Sequence, residues 1–383
     1  MDLLKEKIKA EALRLGFSFI GFSKPQQTPH FHQFDTWIKE GNHNGLDYLG
    51  KKYVLDARYQ PAILLENVKT VITLGIAFCN LEEVQETVQQ VKMEQGLLAS
   101  YACLPDYHHL LKEKSKELIT FIKGIQSPSI KSKFFVDSGP VMEKDFAYLS
   151  GLGWIGKNSL FISPAFGSFC LLGCLFVDFE LQPDNRDETD LCENCEACIQ
   201  ACPTEAINNN RTIKASRCIS FLTTNTKGVI PFELRQKIGN KVFGCDICQI
   251  VCPLNSTESN TVNQKKFGIK TIIVNRIDLL LELFFSEKEY IAKYSRTPVA
   301  KLSHVLFLRN LLIAIGNSGS IKFFDPLRNL LNNHPSPIIR ATTAWALATI
   351  DSELSKDILL NTLKQETGVE VRNEIKKLIG LSR

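Results

Sequence analysis

Cys192-Glu-Asn-Cys195-Glu-Ala-Cys198-Ile-Gln-Ala-Cys202-Pro203 is the stretch that decides how this chain is read. Its C-x2-C-x2-C-x3-C-P pattern is the spacing by which one loop holds a [4Fe–4S] cubane while its last cysteine serves a second cluster. Three thiolates on a tight loop reach three irons, and the Cys-Pro step carries the fourth away, so a second ligand set is required. That set is Cys245-Asp-Ile-Cys248-Gln-Ile-Val-Cys252-Pro253, which repeats the end of the first motif and lacks its leading Cys-x2-Cys. Cys218 is the remaining cysteine of the segment. Exchanging the terminal cysteines assigns Cys192, Cys195, Cys198 and Cys252 to one cluster and Cys202, Cys218, Cys245 and Cys248 to the other, with none left over. Zinc also takes four thiolates, but its knuckles pair Cys-x2-Cys units and need neither the third cysteine nor the Cys-Pro.

The surrounding chain has 383 residues, 44% hydrophobic and 22% charged, the composition of a globular protein of two or three domains. No apolar run approaches the roughly 18 residues that cross a bilayer. Residues 1–17 carry Lys and Glu where an export signal would be apolar, so the chain is expected in the cytoplasm, away from membranes. Thiols stay reduced there, and twelve cysteines then point to metal or redox chemistry rather than disulfides. Cys79, Cys170 and Cys174 lie in apolar runs and read as small buried hydrophobes.

Ahead of the cysteine segment the pattern is α+β. Leu4, Ile8, Ala12 and Leu15 share a helical stripe, residues 17–22, 68–78 and 169–177 are apolar runs of strand length, and 133–136 is a short strand. Asp106 stands where it caps a helix over 106–125, and Gly139-Pro140 reads as the start of a helix closed by the glycine-rich Gly151-Leu-Gly-Trp-Ile-Gly156. Behind it, 255–266 is a polar connector and the remainder reads as helix. Residues 265–383 hold 18 Lys and Arg against 11 Asp and Glu; the whole chain carries +4, so +7 sits at the back and −3 in front. Such a surplus is either a solvated helical face or the footprint of a polyanion. Leu308-Arg309, Ile339-Arg340 and Val371-Arg372 recur at near-constant spacing, as in a short stacked helical array, although an ordinary bundle gives the same pattern by accident.

Two cubanes move single electrons, so the front of the chain is expected to hold an acceptor cofactor. It has neither a Gly-x-Gly-x-x-Gly nor a P-loop motif. Asp106-Tyr-His108, Val136-Asp-Ser-Gly-Pro140, Gly151-Leu-Gly-Trp-Ile-Gly-Lys-Asn158, the cysteine loop, Arg217-Cys-Ile-Ser220 and Gly244-Cys-Asp through Cys252-Pro253 follow one another in an order similar to the epoxyqueuosine reductases. The resemblance implies reduction of epoxyqueuosine at the tRNA wobble position to queuosine, with cobalamin and two [4Fe–4S] clusters. It further implies a nitroreductase-like cobalamin domain at 1–182, a ferredoxin-like double-cluster module at 183–258 and an all-helical HEAT-like tRNA-binding domain at 265–383. A monomer served by a flavodoxin- or ferredoxin-like electron donor is expected.

Opening an epoxide to an alkene takes two electrons and expels an oxygen that must be protonated, so an acid is needed beside the cofactor. By resemblance that acid is Asp137; by position alone it is an N-cap carboxylate. The resemblance likewise assigns corrin contacts to Asp106, Tyr107, His108, Lys157, Asn158 and Ser159, with Arg58, Cys103, Ser220, Asp246 and Asp137. The competing readings are a helix cap for Asp106, an exposed ring for His108 and a plain turn for 157–159. No Asp-x-His-x-x-Gly occurs, so no protein imidazole is expected on the cobalt. Arg296, Lys301, Arg309 and Asn310 match the family's segment at the entry to the helical domain and are expected to touch tRNA phosphates. The rival functions are a cobalamin reductive dehalogenase and an electron-transfer ferredoxin joined to a helical scaffold.

Overall fold

The computed structural model describes residues 2–78, 81–185, 190–256 and 271–380; Cys79 and most of the polar connector lie outside them. The chain forms two compact units. One gathers Met1–Val84, Leu104–Ser216 and Ile247–Thr271, the other Gln85–Cys103, Arg217–Asp246 and Ile272–Arg383. Each unit therefore draws on three separate stretches of the chain. The cause is a small sheet in the second unit, in which β3 (Gln95–Leu98) pairs in parallel with β8 (Lys241–Phe243) and antiparallel with β9 (Arg276–Asp278), joining three distant stretches of chain.

The first unit is built on an antiparallel sheet of β1 (Phe19–Ser23), β2 (Thr70–Ala77), β7 (Cys170–Val177) and β4 (Ser132–Phe135), in that order. Side chains alternate between its faces. Ile72, Leu74, Ile76, Leu175 and Val177 meet Ile8 and Ala12 of α1 (Asp2–Arg14) and Leu111, Leu118 and Ile122 of α5 (Tyr107–Ile125). On the other face Val71, Cys174 and Phe176 meet Ala57 of α3 (Lys52–Tyr59) and Phe146 and Leu149 of α6 (Glu143–Leu149). Burial on both faces is why these strands read as unbroken apolar runs. Cys174 is a buried core residue and Cys170, where β7 begins, is half-buried. The helix expected to open at Gly139-Pro140 begins only at Glu143, because 136–142 form an irregular loop. Two further helices, α2 (Phe31–Lys39) and α4 (Leu81–Gln89), follow β1 and β2 in sequence, and β5 (Trp154–Ile155) pairs with β6 (Phe161–Ile162) in a hairpin.

In the second unit the recurring arginines fall within the first two turns of alternate helices, His304–Ser318, Pro337–Ile350 and Val369–Leu378, which pack side by side. Leu308, Ile339 and Val371 enter the core. Each adjacent arginine fastens main-chain carbonyls: Arg340 those of His334 and Pro335, Arg372 those of Leu363 and Glu366. Gly316 allows the first two helices to approach, since a Cβ there would lie 2.6 Å from the Trp345 ring and 3.0 Å from the Ala346 Cα. Among the described residues no helix is long and apolar enough to cross a membrane.

Candidate active site

Asp137 follows β4 with φ at 53°, a left-handed conformation that Asp tolerates better than most residues but that still marks a constrained position. It caps no helix: the N-cap of α6 is Met142. Its carboxylate accepts from the Tyr107 hydroxyl at 2.9 Å and lies 2.9 Å from His108 Nε2. His108 Nδ1 is 2.8 Å from Asp106 Oδ1, which also caps α5 by accepting the His108 amide. Both imidazole nitrogens thus face carboxylate oxygens. A neutral ring has one N–H to give and one lone pair to accept with, so the tautomer decides which of the two carboxylates receives it. The Tyr107 and His108 rings stack at 4.0 Å, which fixes the pair. Asp106 is therefore both the expected cap and the partner that orients His108, and His108 is buried rather than an exposed ring.

Asp137 borders a cavity of about 330 Å³ whose wall includes Arg58, Tyr48, Glu143, Asp145, Ser159 and Arg211. Arg58 stacks on Phe34 at 4.4 Å. Asp145 has no exposed side-chain surface and pairs with His30 through one oxygen only. Arg58 Nε, Glu143 Oε1 and Asp145 Oδ2 are out of solvent and have no partner within the protein. Unsatisfied groups of this kind cost about 1–3 kcal/mol each. Burial pushes the Glu143 carboxyl up to about 8 even though Arg58 and Lys144 favour its charged form.

The glycine-rich loop leads from this cavity to the cysteines. Gly153 has φ at 153°, and a Cβ there would lie 2.0 Å from the Ile162 carbonyl oxygen, so the β5–β6 hairpin closes only on glycine. Beyond it Ser159 lines the cavity, while Lys157 and Asn158 line a second, narrow cavity walled by Cys192, Cys195, Cys198 and Cys252. The four thiols assigned to one cluster from spacing are thus brought around one space. Burial, and to a lesser degree the charges of Cys192, Cys198 and Cys195, raises the Cys252 thiol to about 11. Trp154 Nε1 donates to Cys192 Sγ at 3.5 Å, and Asp190, which receives Arg211, accepts the Cys192 amide. Among the described residues no three Cys, His, Asp or Glu groups converge tightly enough for a single metal ion. Cys202 accepts the Ala206 amide in the first unit, where Cys248 also lies; Cys218 precedes the helix Ile219–Thr224 and Cys245 packs on the core in the second.

Several expected site residues have other structural duties. Arg309 and Asn310 are fully buried. The Arg309 guanidinium donates to the Leu222, Thr226 and Gly228 carbonyls and to Asn310 Oδ1, and Asn310 donates to the Thr223 and Val242 carbonyls. This corrects the expectation of phosphate contact at both positions: their polar atoms are committed inside the unit. Arg296 and Lys301 are exposed. Cys103 is 1% exposed in the core of the second unit, its thiol pushed up to about 12 by burial, which leaves its side chain no surface for the corrin contact expected of it. Asp246 accepts from the Ser100 amide and hydroxyl, and Ser220 is half-buried on the helix Ile219–Thr224. Sequence reading missed Glu143, Asp145, His30 and Arg211; the first two look like ordinary first-turn acids of a helix.

A cage of four thiols and an acid-lined cavity joined by one glycine-rich loop define a redox protein of the iron–sulfur class. Residues 191–255 match the family model for a 4Fe-4S double cluster binding domain, and 58–138 the model described as Epoxyqueuosine reductase QueG, DUF1730. Epoxyqueuosine reductase of Pseudomonas aeruginosa is 36% identical over 90% of this chain and 94% of its own length, that of Escherichia coli 33% over 91% and 90%, and that of Bacillus subtilis 30% over 99% and 96%. The chain belongs to the epoxyqueuosine reductase family. A crystal structure of epoxyqueuosine reductase with an epoxyqueuosine-modified tRNA-Tyr stem loop superposes with a TM-score of 0.87 at 28% identity, over 99% of this chain and 98% of that one.

Proposed function

We propose that this chain reduces epoxyqueuosine in tRNA to queuosine, with Asp137 as proton donor. The observation that carries the reading is the Asp106–His108–Asp137 chain, with Tyr107 on the same carboxylate, at the edge of a cavity lined by unpartnered polar atoms. Asp137 hands its proton to the departing epoxide oxygen. His108 restores it, and Asp106 holds the imidazole oriented for that transfer. A Bacillus subtilis epoxyqueuosine reductase is described with an aspartate catalytic loop swung out of its active site, and the irregular loop at 136–142 is the counterpart proposed here.

The residues fit the cofactor of the family. A corrin rim carries amide donors and acceptors, and Arg58 Nε and Asn158 Nδ2 lack partners of those kinds. Arg58, Asn158, Ser159, Lys157, Tyr107 and His108 are proposed to hold it, with Ser220 and Asp246 at its further contacts. Cobalamin, when bound, supplies a strongly reducing cobalt centre for opening carbon–oxygen bonds. One cluster is assigned to Cys192, Cys195, Cys198 and Cys252 and the other to Cys202, Cys218, Cys245 and Cys248, which relay electrons from a flavodoxin- or ferredoxin-like donor. The helices of 304–378 are read as a HEAT-like array, with Arg296 and Lys301 on tRNA phosphates, in a cytoplasmic monomer.

The reconstituted protein, given epoxyqueuosine-containing tRNA and a chemical reductant without oxygen, should yield queuosine, seen after nuclease digestion as the loss of one oxygen atom. Unchanged epoxyqueuosine with full iron and cobalt loading would refute the assignment.

A further inference from the structure

Reduction of the epoxide breaks both carbon–oxygen bonds, forms the carbon–carbon double bond and consumes two electrons, which a one-electron protein donor supplies in succession. The oxygen leaves as water only after taking two protons, and Asp137 accounts for one. The wall of the same cavity holds a second carboxyl, at Glu143. It begins α6 over the sheet, and its Oε1 is out of solvent with no partner. The groups around it come from every neighbouring element: Arg58 of α3, Tyr48 of the turn Asp47–Gly50, Asp137 of the preceding loop, Cys174 of β7, Lys144 and Asp145 of α6, His30 before α2 and Arg211. Burial, the largest effect, and Asp137 favour the neutral acid, while its own backbone amide, Arg58 and Lys144 favour the carboxylate. The sum leaves a proton on the carboxyl at neutral pH, inside the space where the oxygen must be discharged.

We infer that Glu143 is the second acid of the reaction, delivering the proton that, with the one from Asp137, lets the epoxide oxygen leave as water. This rests on the activity proposed above. The protonated form is active, so wild-type turnover should fall as pH rises through about 8. In Glu143→Gln, which keeps the size of the side chain but has no acidic proton, single turnover of epoxyqueuosine-containing tRNA at neutral pH should slow about 100-fold. The fall near 8 should vanish, and Glu143→Asp should recover part of the rate. Corrin absorbance, iron content and tRNA affinity of the Gln variant should match wild type, and a protonated-carboxyl infrared band that titrates in the wild type should be missing from it. A Gln variant that turns over at the wild-type rate would overturn the inference, as would one that is slow because it has lost cobalamin. A wild-type holoprotein that leaves epoxyqueuosine intact would instead remove the underlying activity, which the wild-type control reads separately.

Discussion

The cavity of the first unit and the helices of the second both bury charge, and they treat it in opposite ways. In the second unit Arg235 is paired through two hydrogen bonds with Glu374 and Arg340 likewise with Glu366, while Arg309 places its donors on three carbonyls and an amide oxygen. Among the described residues of that unit only the hydroxyls of Thr226 and Thr343 stay buried without partners. In the cavity and the adjoining cage, atoms of Arg58, Glu143, Asp145 and Asn158 are left without partners. Buried polar groups are normally satisfied, and the exceptions need a reason. Satisfied charge here is scaffold, whereas the unsatisfied atoms of Arg58, Glu143, Asp145 and Asn158 belong to residues that line the two cavities.

That contrast is broken or sharpened by substitution. The largest effect is expected at Cys252. Although it lies far along the chain from the first motif, Cys252→Ala should lose the same cluster as Cys192→Ala, leave about four irons of eight and abolish turnover. Iron analysis and spectra of the two variants that report loss of different clusters would break the assignment of the cage. Next comes Arg309→Met, which strands three carbonyls and should cost about 3 kcal/mol or more in urea unfolding. In the folded fraction, tRNA affinity and its salt dependence should be unchanged. The smallest effect belongs to the exposed charges. Removing Arg296 and Lys301 together should weaken modified and unmodified tRNA alike, with stability unaltered. The slope of affinity against salt should shrink by about one for each phosphate that is no longer neutralised. An Arg309 variant that behaves like the Arg296/Lys301 pair would erase the distinction between scaffold and phosphate ligand.

The cage was legible because iron–sulfur ligation is written in local spacing: three thiols on one loop admit few alternatives, and the Cys-Pro step announces a partner loop. Strands β2 and β7 were legible because burial on both faces leaves apolar runs. The cavity acids were not. Glu143 and Asp145 carry the signature of any helix start, and what distinguishes them is the absence of partners, which only tertiary packing decides. Arg309 failed in the opposite sense: an arginine in a basic segment looks like a phosphate ligand, yet its neighbours in space, Leu222 to Gly228, are more than eighty positions away. Asp137 stood between two readings until α6 was seen to start at Glu143, which removes the cap and leaves the hydrogen bonds to Tyr107 and His108 to explain it.

The proton donor is the claim on which the rest depends, and Asp137→Ser tests it most directly. Serine keeps a hydrogen-bonding side chain and the loop's polarity but cannot hold a transferable acid proton near neutrality. Nucleosides from epoxyqueuosine-containing tRNA treated with wild type and Asp137→Ser should be compared by mass spectrometry, with iron and cobalt measured on the same samples. Queuosine is expected from the wild type and intact epoxyqueuosine from a variant of equal metal content. Queuosine formed by Asp137→Ser at a comparable rate would contradict the claim.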